Sequence, residues 1–344
     1  MKIFKSKLVV GLMVLLALLF IVVGCSSDTE TQSEAGEGTE TQSNETEVNN
    51  NENSNSDPVR LRVGGAGTST WVYGFVSSWA EVIQEDANVN LNVQSTAGSS
   101  AHYLMIENGE IDIASGFTPS EYYAERGEKN FEQQHEKFKA LMPISEARGH
   151  IFTRAESTIE TIQDLDGVRL GLGARGSPTS VVAEVQAEAL GINAEYIYAA
   201  PGELMDMMRD GRIDAIWYYA GAPWSAVIDL SSQVDLKFIE FSEADIKTLQ
   251  EVAPYTTQSE MTTEIYDFLD ETITVPGAYQ TLIISEDVPE DVAYNITKAT
   301  WENWDKVVEV VPASGSVSVE GVTNLIGTLH PGALKYYQEI GAID

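Results

Sequence analysis

One supersecondary pattern is written twice in this chain, and it restricts the fold more than any other feature. Residues 60–113 run strand, Gly-rich loop, helix, strand, loop, helix, strand. Leu61-Arg62-Val63 is the first strand, and residues 64–69 are its loop. Val72, Phe75, Val76, Trp79, Val82 and Ile83 then fall at the i, i+3, i+4, i+7 spacing of one helical face. Val89 to Val93 alternates as a half-buried strand does. A helix after Gly98, with Ser99 as its predicted N-cap, stops at Gly109, and Ile111 to Ala114 is the third strand. Residues 168–216 repeat the order, with strands at 168–170, 196–198 and 213–216 and helix stops at Gly191 and Gly211.

Two βαβαβ halves predict two α/β domains with mainly parallel sheets. Right-handed crossovers bring the loops that follow the strands to one edge of each sheet. Residues 148–154 leave the first half, and residues 272–280 read as the return. The helical run "EDVAYNITKATWENW" and the C-terminal segment then complete the first half. The expected domains are 58–150 together with 277–344, and 151–276. Two crossings make a hinge, and a hinge between two lobes is used to close on a small molecule.

The first residues carry Lys2, Lys5 and Lys7, then an apolar run from Leu8 to Val23, then Gly24 and Cys25. These are the parts of an export signal, and the run is shorter than the ~20 residues of a spanning helix. Val22-Val23-Gly24-Cys25 resembles the lipobox of bacterial lipoproteins. The resemblance implies cleavage after residue 24 and a lipid on Cys25; an uncleaved N-terminal anchor is the other reading. Cys25 is the only cysteine, so no internal disulfide forms. Residues 26–57 hold no Lys or Arg and almost no apolar side chain, which predicts an acidic, disordered tether. Both readings of Cys25 place the rest of the chain outside the cytoplasmic membrane, held to it by lipid or anchor.

The formal net charge is −33, and it becomes −36 once the three lysines of residues 1–24 are removed. Such a chain is a poor partner for nucleic acid. The histidines show no metal-ligand spacing, so no metal is expected.

"GLGARG", residues 171–176, has the G-x-G-x-x-G spacing of a dinucleotide-binding turn. That motif also wants an acid at the C-terminal end of the next strand. Here Glu195 stands at its start and Ala199 at its end, so no nucleotide cofactor is expected. Ser177, Pro178, Thr179 and Ser180 describe a capped helix start instead. Helix N-termini favour anions. Three predicted helices begin with Gly, Ser and Thr, which makes Thr68, Ser69, Gly98, Ser99, Ser100, Ser177, Thr179 and Ser180 candidate ligand contacts. Ser99 and Ser177 can equally be plain caps. Trp71, Tyr73, Tyr218 and Tyr219 are candidate cleft walls, with core packing the other reading for Tyr73 and Tyr219, whereas Trp217 reads as core. Arg175 is the only basic side chain in the Gly-rich loops and could pair with a carboxylate or point to solvent. Arg148 and His150, at the first crossing, read as hinge salt-bridge residues. Asp112 and Asp214 recur at matching positions; an acid there could bind a cation, but the repeated setting favours holding a loop. His330 is expected to fix the start of the last helix, with Pro331 in its first turn.

Four segments together resemble the TAXI group of solute-binding proteins, which serve tripartite ATP-independent periplasmic (TRAP) transporters. They are the Gly/Ser/Thr loop with Trp71 and Tyr73, "QSTAGSSAHYLMIENGEIDIA", "GRIDAIWYYAGAP" and "LHPGALKYYQEIG". The resemblance implies a two-domain periplasmic-binding-protein type II fold and no catalysis. It also implies a small organic anion, a dicarboxylate or glutamate-like acid, passed to a TRAP-type membrane permease. It adds Gly221 and Pro223 to the candidate contacts through a Gly-x-Pro turn. The sequence departs from the group at Gly176-Ser177-Pro178 and at Thr68-Ser69-Thr70-Trp71. A lipoprotein that senses a ligand for a membrane receptor, and an extracellular enzyme, are the alternative readings. No G-x-S-x-G elbow supports the latter.

Overall fold

The computed structural model describes residues 57–68 and 70–344. The expected export signal, Cys25, the expected tether up to residue 56, and Ser69 lie outside the described residues. Each half of the chain builds the expected parallel layer. In the first, β1 (Val59–Gly64) pairs in parallel with β2 (Val89–Gln94) and β3 (Ile113–Phe117). Helices α1 (Trp71–Ile83), α2 (Ser99–Glu107) and α3 (Thr118–Arg126) follow these strands. β4 (Phe138–Arg154) leads into the second half. There β5 (Arg169–Leu172) pairs in parallel with β6 (Glu195–Tyr198) and β7 (Ala215–Ala220). Helices α4 (Pro178–Ala189), α5 (Pro201–Arg209) and α6 (Ser225–Ser231) follow those strands. β8 (Leu236–Phe238), α7 (Glu243–Val252) and β9 (Thr257–Met261) extend this half. β10 (Ile273–Ser285) returns, and α8 (Glu290–Glu302), α9 (Trp304–Val310) and α10 (Pro331–Glu339) finish the first half.

The two halves are not separate sheets. One strand path runs β2-β1-β3-β10-β4-β7-β5-β6, with β8 on β4 and β9 on β10. β4 and β10 are the long crossing strands, antiparallel to each other from Gly277↔Arg148 to Ser285↔Phe138. β4 pairs with β7 from Arg148 onward, and β10 changes partner from β9 to β3 between Gly277 and Gln280. Bulges interrupt the β4–β10 ladder beside Gln280 and again beside Leu282. The third strand of the first half begins at Ile113 rather than Ile111, because Asp112 is drawn into a side-chain clamp. Arg62 on β1 grips both Asp112 oxygens, at 2.9 and 2.7 Å, and reaches the Gly109 carbonyl at 2.8 Å. The second half repeats the device: Arg169 on β5 grips Asp214 at 2.9 and 2.6 Å and reaches the Gly211 carbonyl at 3.1 Å. Each clamp ties a helix-stopping glycine and the turn after it to the neighbouring strand.

Ser99 is not an N-cap. It is the first residue of α2, and Gly98 occupies the cap position with φ of 107° and no side chain to offer. His330 does cap α10, accepting from the Gly332 N–H at 3.2 Å while its other ring nitrogen donates to the Val288 carbonyl at 3.0 Å.

Candidate functional site

The ends of three strands in the first half are held by one buried histidine. The Ala66 N–H donates to Thr96 Oγ1 at 2.9 Å, and Thr96 Oγ1 lies 2.6 Å from His102 Nε2. His102 Nδ1 is 2.7 Å from the Ser115 carbonyl, which only accepts, so the proton is on Nδ1 and Thr96 donates to Nε2. Burial holds this imidazole below its ordinary pKa, in keeping with a neutral ring. The loops after β1, β2 and β3 are thereby pinned to one another.

A second neutral histidine does comparable work at the crossing. His150 Nδ1 donates to the Arg148 carbonyl at 2.9 Å. Its Nε2 accepts from the Tyr266 hydroxyl at 2.7 Å, and that hydroxyl accepts the Trp224 N–H at 2.7 Å. Burial depresses the imidazole to about 3. His150 is therefore not a salt-bridge residue: its ring nitrogens meet a backbone carbonyl and a tyrosine hydroxyl, and burial keeps it neutral. Arg148 is one: it meets Glu146 at 2.8 Å and Ser259 at 2.9 Å.

A cleft of about 600 Å³ opens where these supports converge. Trp71 comes from the start of α1, and Ser145, Ala147 and Gln280 come from the crossing strands. Thr179 and Pro201 come from the first turns of α4 and α5. Residues 218–225 form one wall, and Pro312 and Ala313 close the rim. Tyr218 and Trp224 stack at 4.6 Å with 19° between their planes. Trp71 is 41 % exposed, although it is the first residue of an otherwise well-packed helix. Ser145 and Gln280 face each other in register beside the β4–β10 bulge, a local kink of the kind that re-aims side chains. Ser145 is only 1 % exposed, and its Oγ has no hydrogen-bond partner. A buried hydroxyl left unpaired costs about 1–3 kcal/mol, so such a group at a cleft wall points to a missing ligand or water.

Of the sequence candidates, Trp71, Thr179, Tyr218, Tyr219, Gly221 and Pro223 line this cleft. Tyr219 is mostly buried, and its hydroxyl donates to Gln186 at 2.6 Å. Thr68, Tyr73, Gly98, Ser99, Ser100, Ser177 and Ser180 are not among its lining. Tyr73 lies over Gly65, Asn130 donates to the Ser100 hydroxyl at 3.3 Å, and the Ser180 hydroxyl donates to the Ala174 carbonyl at 2.9 Å. Ser177 is the α4 cap, accepting from the Ser180 N–H at 3.3 Å. Arg175 is away from the cleft: its guanidinium stacks on Tyr198 at 3.8 Å, in a separate hollow with Lys129, Glu184 and Glu188. In "GLGARG" the backbone folds onto its own helix. A Cβ on Gly173 would meet Thr179 Oγ1 at 2.5 Å, and Gly176 has φ of 74°. Trp217 is fully buried core.

Sequence reasoning missed Ser145, Gln280, Pro201, Trp224 and Pro312. "GAPWS" carried a signal for Trp224, an aromatic directly after the suspected turn. Nothing local marks Ser145 or Gln280. Among the described residues no group of three or more His, Cys, Asp or Glu could hold a metal ion. Among them, too, no helix is long and apolar enough to cross a membrane.

A family model described as NMT1-like matches residues 63–341. Among solved structures, a TctC solute binding protein from Polaromonas is 18% identical, with a TM-score of 0.50 over 84% of this chain and 100% of its own. XAC2383 from Xanthomonas citri is 11% identical, with a TM-score of 0.48 over 82% of this chain and 96% of its own. The periplasmic binding protein BugD is 14% identical, with a TM-score of 0.46 over 83% and 98%. The first likeness identifies the fold as the two-domain α/β fold of periplasmic binding proteins.

Proposed function

The chain belongs to the NMT1-like family, and from that premise we propose that it is a solute-binding receptor of the extracytoplasmic face, not an enzyme. It captures a small organic anion in the cleft between its lobes. Dicarboxylates and glutamate-like acids are the members of that class that the sequence resemblance implies. The lobes are residues 58–150 with 277–344, and residues 151–276. The receptor is tethered through a lipid on Cys25 and passes its solute to a membrane permease of the TRAP type. The observation that carries the reading is the cleft itself. It takes its lining from both halves and from both crossing strands, and it contains a buried hydroxyl with no partner. Closure gains free energy only from contacts made in the closed state, and a ligand touching both lobes supplies them. The structure of a TctC solute binding protein supports the assignment by its fold and by the role its name gives.

A thermal-shift screen of carboxylates, amino acids, sugars and amines tests it. Saturable stabilisation by carboxylic acids is expected, on the order of 3 kcal/mol at one hundred times Kd. Stabilisation by neutral sugars alone contradicts the anion assignment.

A further inference from the structure

The described residues lining the cleft include no Asp, Glu, Lys, Arg or His. An anion bound there must therefore be met by dipoles and neutral donors. Three helices of sufficient length start at the cleft: α1, with Trp71 at its first position and the Tyr73 N–H already taken by the Thr70 hydroxyl, α4, with Thr179 in its first turn, and α5, with Pro201 at its first position. α5 has no side-chain cap, so its leading N–H groups have no acceptor from a capping side chain. Each helix start carries the equivalent of roughly half a positive charge, and two together match about one negative charge. Ser145 adds an independent sign of a ligand, a lining residue whose buried hydroxyl has no hydrogen-bond partner. Apart from Gln280 and Ser225, the rest of the lining is apolar or aromatic, with Trp71 exposed and the Tyr218–Trp224 stack as a flat wall. A second carboxylate would find no cationic side chain among these lining residues to offset its desolvation.

We propose that the ligand is a monocarboxylate with an apolar, preferably flat body. Its single charge is held by the starts of α4 and α5 and by Ser145, and its body lies against Trp71 and Trp224. The proposal rests on the cleft being an anion receptor and narrows the kind of anion.

Tryptophan-fluorescence titration of the full chain tests it with 3-phenylpropanoate, its neutral amide, succinate and glutamate. The monocarboxylate should bind at least about tenfold tighter than the other three, the discrimination expected of one charge-assisted contact. Ser145→Ala should weaken 3-phenylpropanoate about tenfold while leaving the unliganded protein at least as stable, since no internal hydrogen bond is lost. Trp71→Ala, at an exposed position, should also weaken it. Tighter binding of succinate or glutamate overturns this inference and leaves the receptor reading standing. Binding of the neutral amide as tight as that of the acid overturns both. Absence of a saturable response to aromatic monocarboxylates overturns the inference, and the acid arm of the thermal-shift screen then decides the receptor reading.

Discussion

Glu121 on α3 is fully buried, with one oxygen receiving the Thr281 hydroxyl and the other without a partner. Burial raises its carboxyl from 4.5 to about 7, and the nearby Glu125 adds to the rise. The folded protein thus keeps a proton that the unfolded chain releases. The stability from the neutral form is complete below about 4.5 and is lost as pH rises through about 7. Glu121→Gln keeps a neutral group there, so its urea midpoint should fall less than the wild-type midpoint between about pH 5 and about pH 8. Equal pH dependence of the two proteins contradicts this. The histidines act on the acid side. His102, His135, His150 and His330 are all held below the ordinary 6.5 by burial. The stability of their neutral forms is present above 6.5 and is lost as pH falls, for His150 toward about 3. Proton NMR should find the His150 ring still neutral at about pH 5, and titration near its ordinary value would show that Tyr266 and Trp224 are not held as described.

Among the elements, α10 gives the residues of "LHPGALKYYQEIG" distinct structural jobs. His330 caps the helix and Pro331 takes its first position. Gly332 lies so close to α8 that a Cβ would stand 2.1 Å from the Glu290 carbonyl oxygen. Gly332→Ala should therefore cost about 3 kcal/mol in chemical denaturation, since backbone rather than a flexible side chain is in the way. A loss under about 0.5 kcal/mol would mean that the two helices slide apart at no cost. Elements of this kind were legible because their chemistry is local, as in helix-stopping glycines, the His330 cap and the apolar stripe of α1, or because it is repeated, as at Asp112 and Asp214. The cleft was legible only in part. Ser145 and Gln280 sit on β4 and β10, long strands buried along much of both faces, where no alternation separates a cleft residue from a core one. Arg175 sits in a helix-start loop as expected, yet its direction is decided by the Tyr198 ring, which the loop's own sequence does not contain.

For the whole molecule, the repeated halves foretold two layers, but not their fusion into one strand path through β4 and β10. That continuity follows from pairing between strands more than one hundred positions apart, such as Ser145 and Gln280, which no sequence window reports. It places the floor of the cleft on the same two strands that join the lobes. Gly221 gives the most direct test that this cleft is where solute binds. It lines the cleft, and a Cβ built on it meets nothing within 4 Å. Gly221→Phe should fill the cleft without disturbing the fold. The measurement is isothermal titration of wild type and Gly221→Phe with the acid that most stabilises the wild type, beside their unfolding midpoints without ligand. The account predicts equal midpoints and at least about a hundredfold loss of affinity in the variant. Wild-type affinity in a normally folded Gly221→Phe protein would contradict it.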